Sequence, residues 1–351
     1  MRQVALGTTG LRVSEICFGT MTFGREADER TSAALYARCR EAGVDFFDCA
    51  NVYAEGESER ILGRLVAPER DKIVLTSKVY FPTGDGPRGR GYSRAAIMHQ
   101  VEGSLRRLGS DWLDLYFLHH FDEDTPIEDA LRALDDLVRQ GKVRYPAVSN
   151  FAAWQIARAL GTSERLGLAA FRCVQPLYNL LKRQAEVELL PMAAAEGLAV
   201  IPYSPLAGGV LTGKYGARDL SVEGRLRTSE LYQRRYGEAT DFEIAQGFAA
   251  LARGHGWHPA SLAIAWVARH PAVTSPIVGA RDLDQLDRAL ASTEIALDDP
   301  LYARISALTR TPPLATDREE EREAGAHAAS VSPTAPTLET PPRGPAGVPS
   351  R

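Results

Sequence analysis

Short apolar runs alternate along the chain with longer stretches whose apolar residues recur at three-and-four spacing. The first two runs, Val4 to Leu6 and Leu11 to Val13, flank Thr8-Thr9-Gly10 and predict a β-hairpin. Eight more strands are predicted at Glu15–Phe18, Asp45–Asp48, Ile73–Lys78, Asp114–Leu118, Val143–Ser149, Cys173–Pro176, Ala199–Tyr203 and Ser275–Val278. Helical patterns fill the intervals. Ile97, Val101, Leu105 and Leu108 share one face of a helix over Ala95–Leu108 that Ser93 can cap. A second helix, Ile127 to Val138, stops before Gly141, and a third starts near Pro259. Eight strands alternating with helices over roughly 300 residues predict an α/β fold, a (β/α)8 TIM barrel with an N-terminal β-hairpin. The longest interruption, Ser204 to Ala239, follows the seventh barrel strand.

From Pro312 the character changes. The last forty residues hold eight of the 21 prolines, a run of charge from Asp317 to Glu323, and no aromatic residue. A segment so poor in apolar surface does not offset its ordering entropy, so residues 1–311 are expected to form the barrel and 312–351 a disordered C-terminal tail.

Composition narrows the functional classes. With 41 Lys+Arg against 45 Asp+Glu the net charge is −4, which disfavours nucleic acid or an anionic membrane as the main partner. The apolar stretch Ala260 to Ala268 is about half of the ~20 residues a membrane helix needs. Arg12, Ser14 and Glu15 interrupt any signal-peptide core at the N-terminus. Cys17, Cys39, Cys49 and Cys173 lack CxxC spacing, as expected of a protein in the reducing cytoplasm.

Polar and special residues gather at the C-terminal ends of the predicted strands. Gly19-Thr20 follows the first barrel strand, Asp48 ends the second, Lys78 the third, and His119 follows the fourth. Ser149-Asn150, Gln175, Tyr203-Ser204 and Gly279-Ala280-Arg281 close the remaining four. In a parallel barrel these ends open on one face, where active sites are built. Asp48 and Lys78 interrupt apolar runs on adjacent strands and are expected to pair, since either alone is costly to bury. Tyr53, five residues beyond Asp48, can return over the mouth. A lysine ammonium beside its hydroxyl is expected to lower the phenol's ordinary pKa of about 10 toward the working range. With His119 donating to a substrate oxygen, the set suits protonation of a carbonyl.

These residues, with Gly19-Thr20-Met21-Thr22-Phe23-Gly24, Gly56-Glu57-Ser58-Glu59, Asp114-Leu115-Tyr116, Gly141-Lys142-Val143, Tyr203-Ser204-Pro205-Leu206 and Ile277-Val278-Gly279-Ala280-Arg281, occur in an order that resembles the aldo-keto reductases. The resemblance covers about residues 1 to 310 and leans to the branch related to potassium-channel β-subunits. It implies a catalytic tetrad of Asp48, Tyr53, Lys78 and His119, and NADPH lying across the barrel mouth without a GxGxxG motif. It implies that Ser149, Asn150 and Gln175 hold the nicotinamide carboxamide and that Tyr203 stacks on its ring. Ser204, Pro205, Leu206, Gly208, Lys214 and Arg225 would serve the pyrophosphate. Val278, Gly279, Ala280, Arg281 and Gln285 would serve the adenosine end, with Gly19, Thr20 and Met21 completing the cradle. Arg281 is the expected 2′-phosphate partner, and Arg288, which stands where relatives often carry Glu, offers a second charge. Phe23, Tyr80 and Phe121 are expected to line the pocket of a small carbonyl substrate beside Tyr53 and His119.

Simpler readings accompany several of these positions. His120 is expected to have a packing or supporting role as a neighbour of His119, no metal site is expected, and Arg106-Arg107 and Arg234-Arg235 read as solvated charges. Two alternative functions stand beside carbonyl reduction. One is a nucleotide-sensing regulatory subunit. The other is a sugar-nucleotide or deoxysugar reductase using the basic residues Arg218, Arg225, Arg227, Arg234 and Arg235.

Overall fold

In the computed structural model the described residues are 1–316 except 85, 87, 217, 218 and 220. Arg218 and the expected tail beyond residue 316 lie outside them. The chain begins with the hairpin, β1 (Gln3–Ala5) paired antiparallel with β2 (Arg12–Ser14) so that Val4 faces Val13. Eight parallel strands follow: β3 (Cys17–Gly19), β4 (Phe46–Asp48), β5 (Val74–Val79), β6 (Leu113–Leu118), β7 (Val143–Ser149), β8 (Cys173–Gln175), β9 (Ala199–Val200) and β10 (Ile277–Val278). Their order, β10-β3-β4-β5-β6-β7-β8-β9, is sequential once β10 is brought round to β3. The remaining edge closes through backbone bonds, Thr274 N–H to Val200 O at 2.8 Å and Ile277 N–H to Pro202 O at 2.9 Å. This is the expected (β/α)8 barrel.

The differences from the expected ends have local causes. Pro176, Pro202 and Pro276 have no N–H to donate, so β8, β9 and β10 stop or start short of the predicted spans. Each hairpin strand lies one residue farther from the turn than expected because the turn is wider, with Leu6 N–H bonded to Leu11 O.

Strand alternation sorts the side chains into two cores. Leu115 and Phe117 join Cys17, Phe46, Ala147, Cys173 and Ile201 inside the barrel, where the hairpin's Leu6 and Val13 pack beneath them. Tyr116 and Leu118 join the larger core between strands and helices. Three helices matter below: α1 (Glu29–Glu41), α2 (Glu57–Val66) and α3 (Arg94–Leu108). Ser93 caps α3, its hydroxyl accepting from Ala96 N–H at 3.3 Å. The segment from Ser204 to Ala239 carries the short helices Arg225–Thr228 and Glu230–Tyr236.

Backbone strain concentrates on one side of the barrel. Among the described residues, those other than glycine with positive φ are Ala54, Glu55, Asn150, Ser204 and Ala207, and all follow the C-terminal ends of β4, β7 and β9. Such conformations persist only where the surroundings over-determine them. Among the described residues no helix is long and apolar enough to cross a membrane.

Candidate active site

Thr76 and Lys78 point into the barrel from β5, and Asp48 meets both from β4. The Thr76 hydroxyl donates to Asp48 Oδ1 at 2.9 Å, and Lys78 Nζ donates to Asp48 Oδ2 at 2.6 Å. Gln175 Nε2 reaches the same Oδ1 from β8 at 2.9 Å, so the carboxylate is held from three sides. The Lys78 side chain is wholly buried and that of Asp48 is 3% exposed. Burial alone would push the lysine's pKa down, but Asp48 and Tyr53 more than offset it, and the ammonium form is held.

Tyr53 arrives by a tight turn. Ala54 and Glu55 adopt φ of 48° and 54° and Gly56 follows at 86°, which folds the chain back over the mouth before α2 begins. Lys78 Nζ donates to the Cys49 carbonyl at 2.8 Å and to the Tyr53 hydroxyl oxygen at 3.3 Å. An ammonium has three donors and no acceptor, so Tyr53 receives a hydrogen bond from Lys78 and keeps its own O–H proton for another partner. The expected lowering of this phenol's pKa is not what the surroundings produce. Burial outweighs the pull of Lys78, whose charge Asp48 largely neutralises, and the value rises to about 12.

His119 stands across from Tyr53, ring centroids 6.3 Å apart and nearly perpendicular. Burial first, then Lys78 and His120, hold its pKa well below the ordinary 6.5, so the imidazole is neutral at neutral pH. Its Nδ1 is buried without a hydrogen-bond partner among the described residues, and its backbone carbonyl accepts from Asn150 Nδ2 at 2.9 Å. His120 is exposed and stacks on Tyr80 at 5.2 Å.

The mouth is aromatic. Tyr80 and Phe121 are half-buried there, Phe121 lying edge-on to Phe151 at 5.2 Å and to Trp154 at 6.3 Å. Phe81, which sequence reasoning missed, is edge-on to His119 at 4.9 Å. It sits at the start of an irregular loop, where no periodicity marks a residue. Phe23 requires a correction: its side chain is fully buried against Phe18, in the core between strands and helices, and cannot line a substrate pocket as expected.

The remaining site residues ring the same face. Ser149 donates to the Gln175 carbonyl at 2.9 Å, and Asn150 both donates to Ser149 Oγ at 3.0 Å and accepts from the Tyr203 hydroxyl at 2.8 Å. Both Asn150 amide hydrogens are thus already engaged. Thr20 bonds the Asp48 carbonyl, while Gly19 pairs with Asp48 in the strand register. Met21 is half-buried beside them, as is Leu206 beyond β9, and Pro205 is buried. Val278 and Ala280 turn their side chains into the core, leaving only backbone for a ligand, whereas Gly279 is exposed. Arg288 pairs with Asp284 one helical turn away.

A model of the aldo/keto reductase family matches residues 15–310. The chain belongs to that family. It is an oxidoreductase of the aldo/keto reductase type, similar over its whole barrel to curated proteins. An uncharacterized oxidoreductase, YrpG, from Bacillus subtilis is 37% identical over 89% of this chain and 97% of its own length. A probable voltage-gated potassium channel subunit beta from Oryza sativa is 34% identical, covering 90% and 99%. The versiconal hemiacetal acetate reductase of Aspergillus parasiticus is 31% identical, covering 85% and 94%.

Whether this aldo/keto reductase suits a phosphorylated nicotinamide nucleotide is tested by its cations and close approaches. Lys214 Nζ donates to the Glu223 carbonyl at 2.8 Å, while Arg281 Nη1 stands 3.8 Å from the Glu223 carboxylate. Burial and then Arg281 lower the lysine's pKa, which marks two cations crowded around too little negative charge. Gly208 has φ of 66°, and a Cβ there would fall 2.5 Å from the Tyr232 ring, so only glycine brings this backbone so close. Arg225 Nη1 bonds the Tyr232 hydroxyl at 3.0 Å. These features fit an anion laid along the loop after β9.

Proposed function

We propose that the protein reduces an aldehyde or ketone to an alcohol with NADPH, Tyr53 acting as general acid. The observation that carries the reading is the contact chain Asp48–Lys78–Tyr53 at the barrel mouth, opposite a neutral His119. Lys78 donates to the phenol oxygen, which directs the Tyr53 proton away from the lysine and toward a substrate oxygen at the mouth. The same ammonium stabilises the phenolate left after transfer. A neutral His119 donates one N–H to the substrate oxygen and orients it without delivering a charge. Asp48 keeps Lys78 charged and fixed, with Thr76 and Gln175 fixing Asp48 in turn.

Lys214 and Arg281 would hold the phosphates, Arg281 the 2′-phosphate, and Gln285, whose side-chain oxygen accepts from Arg281 N–H, would steady the adenosine end. Tyr203 and Gln175 would flank the nicotinamide. When bound, that ring supplies a hydride to the carbonyl carbon. Tyr80, Phe81 and Phe121 would wall the substrate pocket. The regulatory-subunit and sugar-nucleotide readings draw on no feature of the described residues beyond these. The test is NADPH consumption with aromatic aldehydes, dicarbonyls and keto-sugars, wild type beside Tyr53→Phe. Turnover lost with NADPH binding kept is expected; turnover retained by Tyr53→Phe would remove Tyr53 from the role.

A further inference from the structure

Helices α2 and α3 touch backbone to backbone where Gly63 meets Leu108; a Cβ on Gly63 would lie 2.4 Å from the Leu108 carbonyl oxygen. Beside that contact the helices leave a cavity of about 420 Å³, open to solvent and lined by Arg60, Arg64, Gly103, Arg106 and Arg107. Positions 60 and 64 share one face of α2, and 103, 106 and 107 one face of α3, so the guanidiniums converge from both sides. Among the described residues that line the cavity there is no carboxylate.

Arg107 is not the solvated charge its place beside Arg106 suggests. Its Nε donates at 2.6 Å to Glu59, whose side chain is fully buried and also accepts from Ser77 at 2.5 Å. That anchor fixes the guanidinium over Gly103, where a Cβ would lie 3.1 Å from Nη1. The other three are held loosely. Arg60 pairs with Glu57 at 3.4 Å, and Arg64 with Glu29 at 2.8 Å and with Glu57 at 3.7 Å, all solvent-exposed contacts of small worth. Arg106 is exposed and has no ion-pair partner among the described residues. Each guanidinium carries five donors, most of them unused here.

We propose that this cavity is a second anion site, which takes the phosphoryl or pyrophosphoryl group of a small phosphorylated molecule. Planar forks match tetrahedral oxyanions through paired hydrogen bonds, and one pre-fixed arginine lowers the entropy lost on binding. It is separate from Lys214 and Arg281, which follow β9 and β10, whereas the cavity lies between the helices that follow β4 and β5.

Inorganic pyrophosphate is the probe, titrated calorimetrically into the full chain at low ionic strength. Lys214→Ala/Arg281→Ala removes the competing cations at the barrel mouth. In that background one pyrophosphate should still bind, and adding Arg60→Ala/Arg106→Ala should weaken it by about tenfold or more. Arg106→Glu, a change at an exposed position, should abolish it with the unfolding midpoint unchanged. Absence of binding in the Lys214→Ala/Arg281→Ala protein, or binding unaltered by the cavity variants, overturns the proposal. Neither result bears on the nucleotide site, which is read separately by nucleotide binding to the Lys214→Ala/Arg281→Ala protein.

Discussion

Two carboxylates are buried on opposite faces of β5, and their likeness makes their difference instructive. Inside the barrel Asp48 accepts from Thr76 and from Lys78 at 2.6 Å; outside it Glu59 accepts from Ser77 and from Arg107 at 2.6 Å. Thr76 and Ser77 are neighbours in sequence and point opposite ways because a strand alternates. What separates the pairs is the work left to the cation. The third donor of Lys78 ends on Tyr53, a group that can give up a proton. The rest of Arg107 faces a cavity lined with other arginines. Burial and pairing are therefore not marks of chemistry by themselves; the third partner decides.

The sharpest way to break the comparison is to remove one partner from each pair. Lys78→Met strands Asp48 in the barrel and should cost about 3–5 kcal/mol of stability. If Tyr53 is the general acid proposed above, it should also lower kcat/KM by about a thousandfold, since the phenolate loses its stabilising charge. Glu59→Gln keeps the shape of the outer pair and leaves Arg107 a partly exposed position in which to hydrate. We expect a loss of about 1–3 kcal/mol by urea denaturation, with kcat/KM within about fivefold of wild type. If Glu59→Gln silenced the enzyme as Lys78→Met does, the two pairs would form one functional unit.

Protonation sharpens the contrast at smaller cost. The neutral state that His119 keeps in the folded protein has a depressed pKa, so unfolded chains bind the proton first as pH falls through 6.5. Stability from this group is fully present above 6.5 and should decline by up to about 1.4 kcal/mol per pH unit below it. Urea midpoints between pH 7.5 and about 5 should show that slope in wild type and a shallower one in His119→Gln. The Tyr53 phenol behaves in the opposite sense. Its pKa, raised to about 12, keeps it protonated throughout the neutral range. In the proposed mechanism alcohol oxidation needs the phenolate, so it should speed up as pH rises past neutrality, and a Tyr53→Phe protein should lack that rise.

The inner pair was legible because Asp48 and Lys78 break apolar runs at strand ends, where a polar residue stands out. The barrel was legible for the same reason, each strand being a short apolar run between helical periods. The outer pair was hidden. Glu59 sits in Gly56-Glu57-Ser58-Glu59, which reads as the charged start of a helix, and its partner lies 48 residues away. A signal did exist: Glu59, Leu62 and Val66 fall at i, i+3 and i+7 on the buried face of α2. Phe81 offered no such signal, because an irregular loop has no period. The expected pKa of Tyr53 failed in direction because sequence shows which charges are near and not how deeply the phenol is sunk.

The smallest effect expected separates two arginines that sequence placed together. Arg281 stands near Lys214 with only a distant carboxylate at 3.8 Å, so an added phosphate relieves its surroundings. Arg288 is paired with Asp284 on the exposed face of its own helix, and its charge is already answered. Arg281→Ala should weaken NADPH by about tenfold while leaving NADH nearly unchanged, as expected for one lost charged contact to the 2′-phosphate. Arg288→Ala should alter neither nucleotide beyond about twofold, since an exposed i,i+4 pair contributes little. Both are read from nucleotide titrations against intrinsic fluorescence. Equal losses in the two variants would mean that Arg288 leaves Asp284 to reach the nucleotide, and the phosphate would then be held by a pair of arginines that forms only on binding.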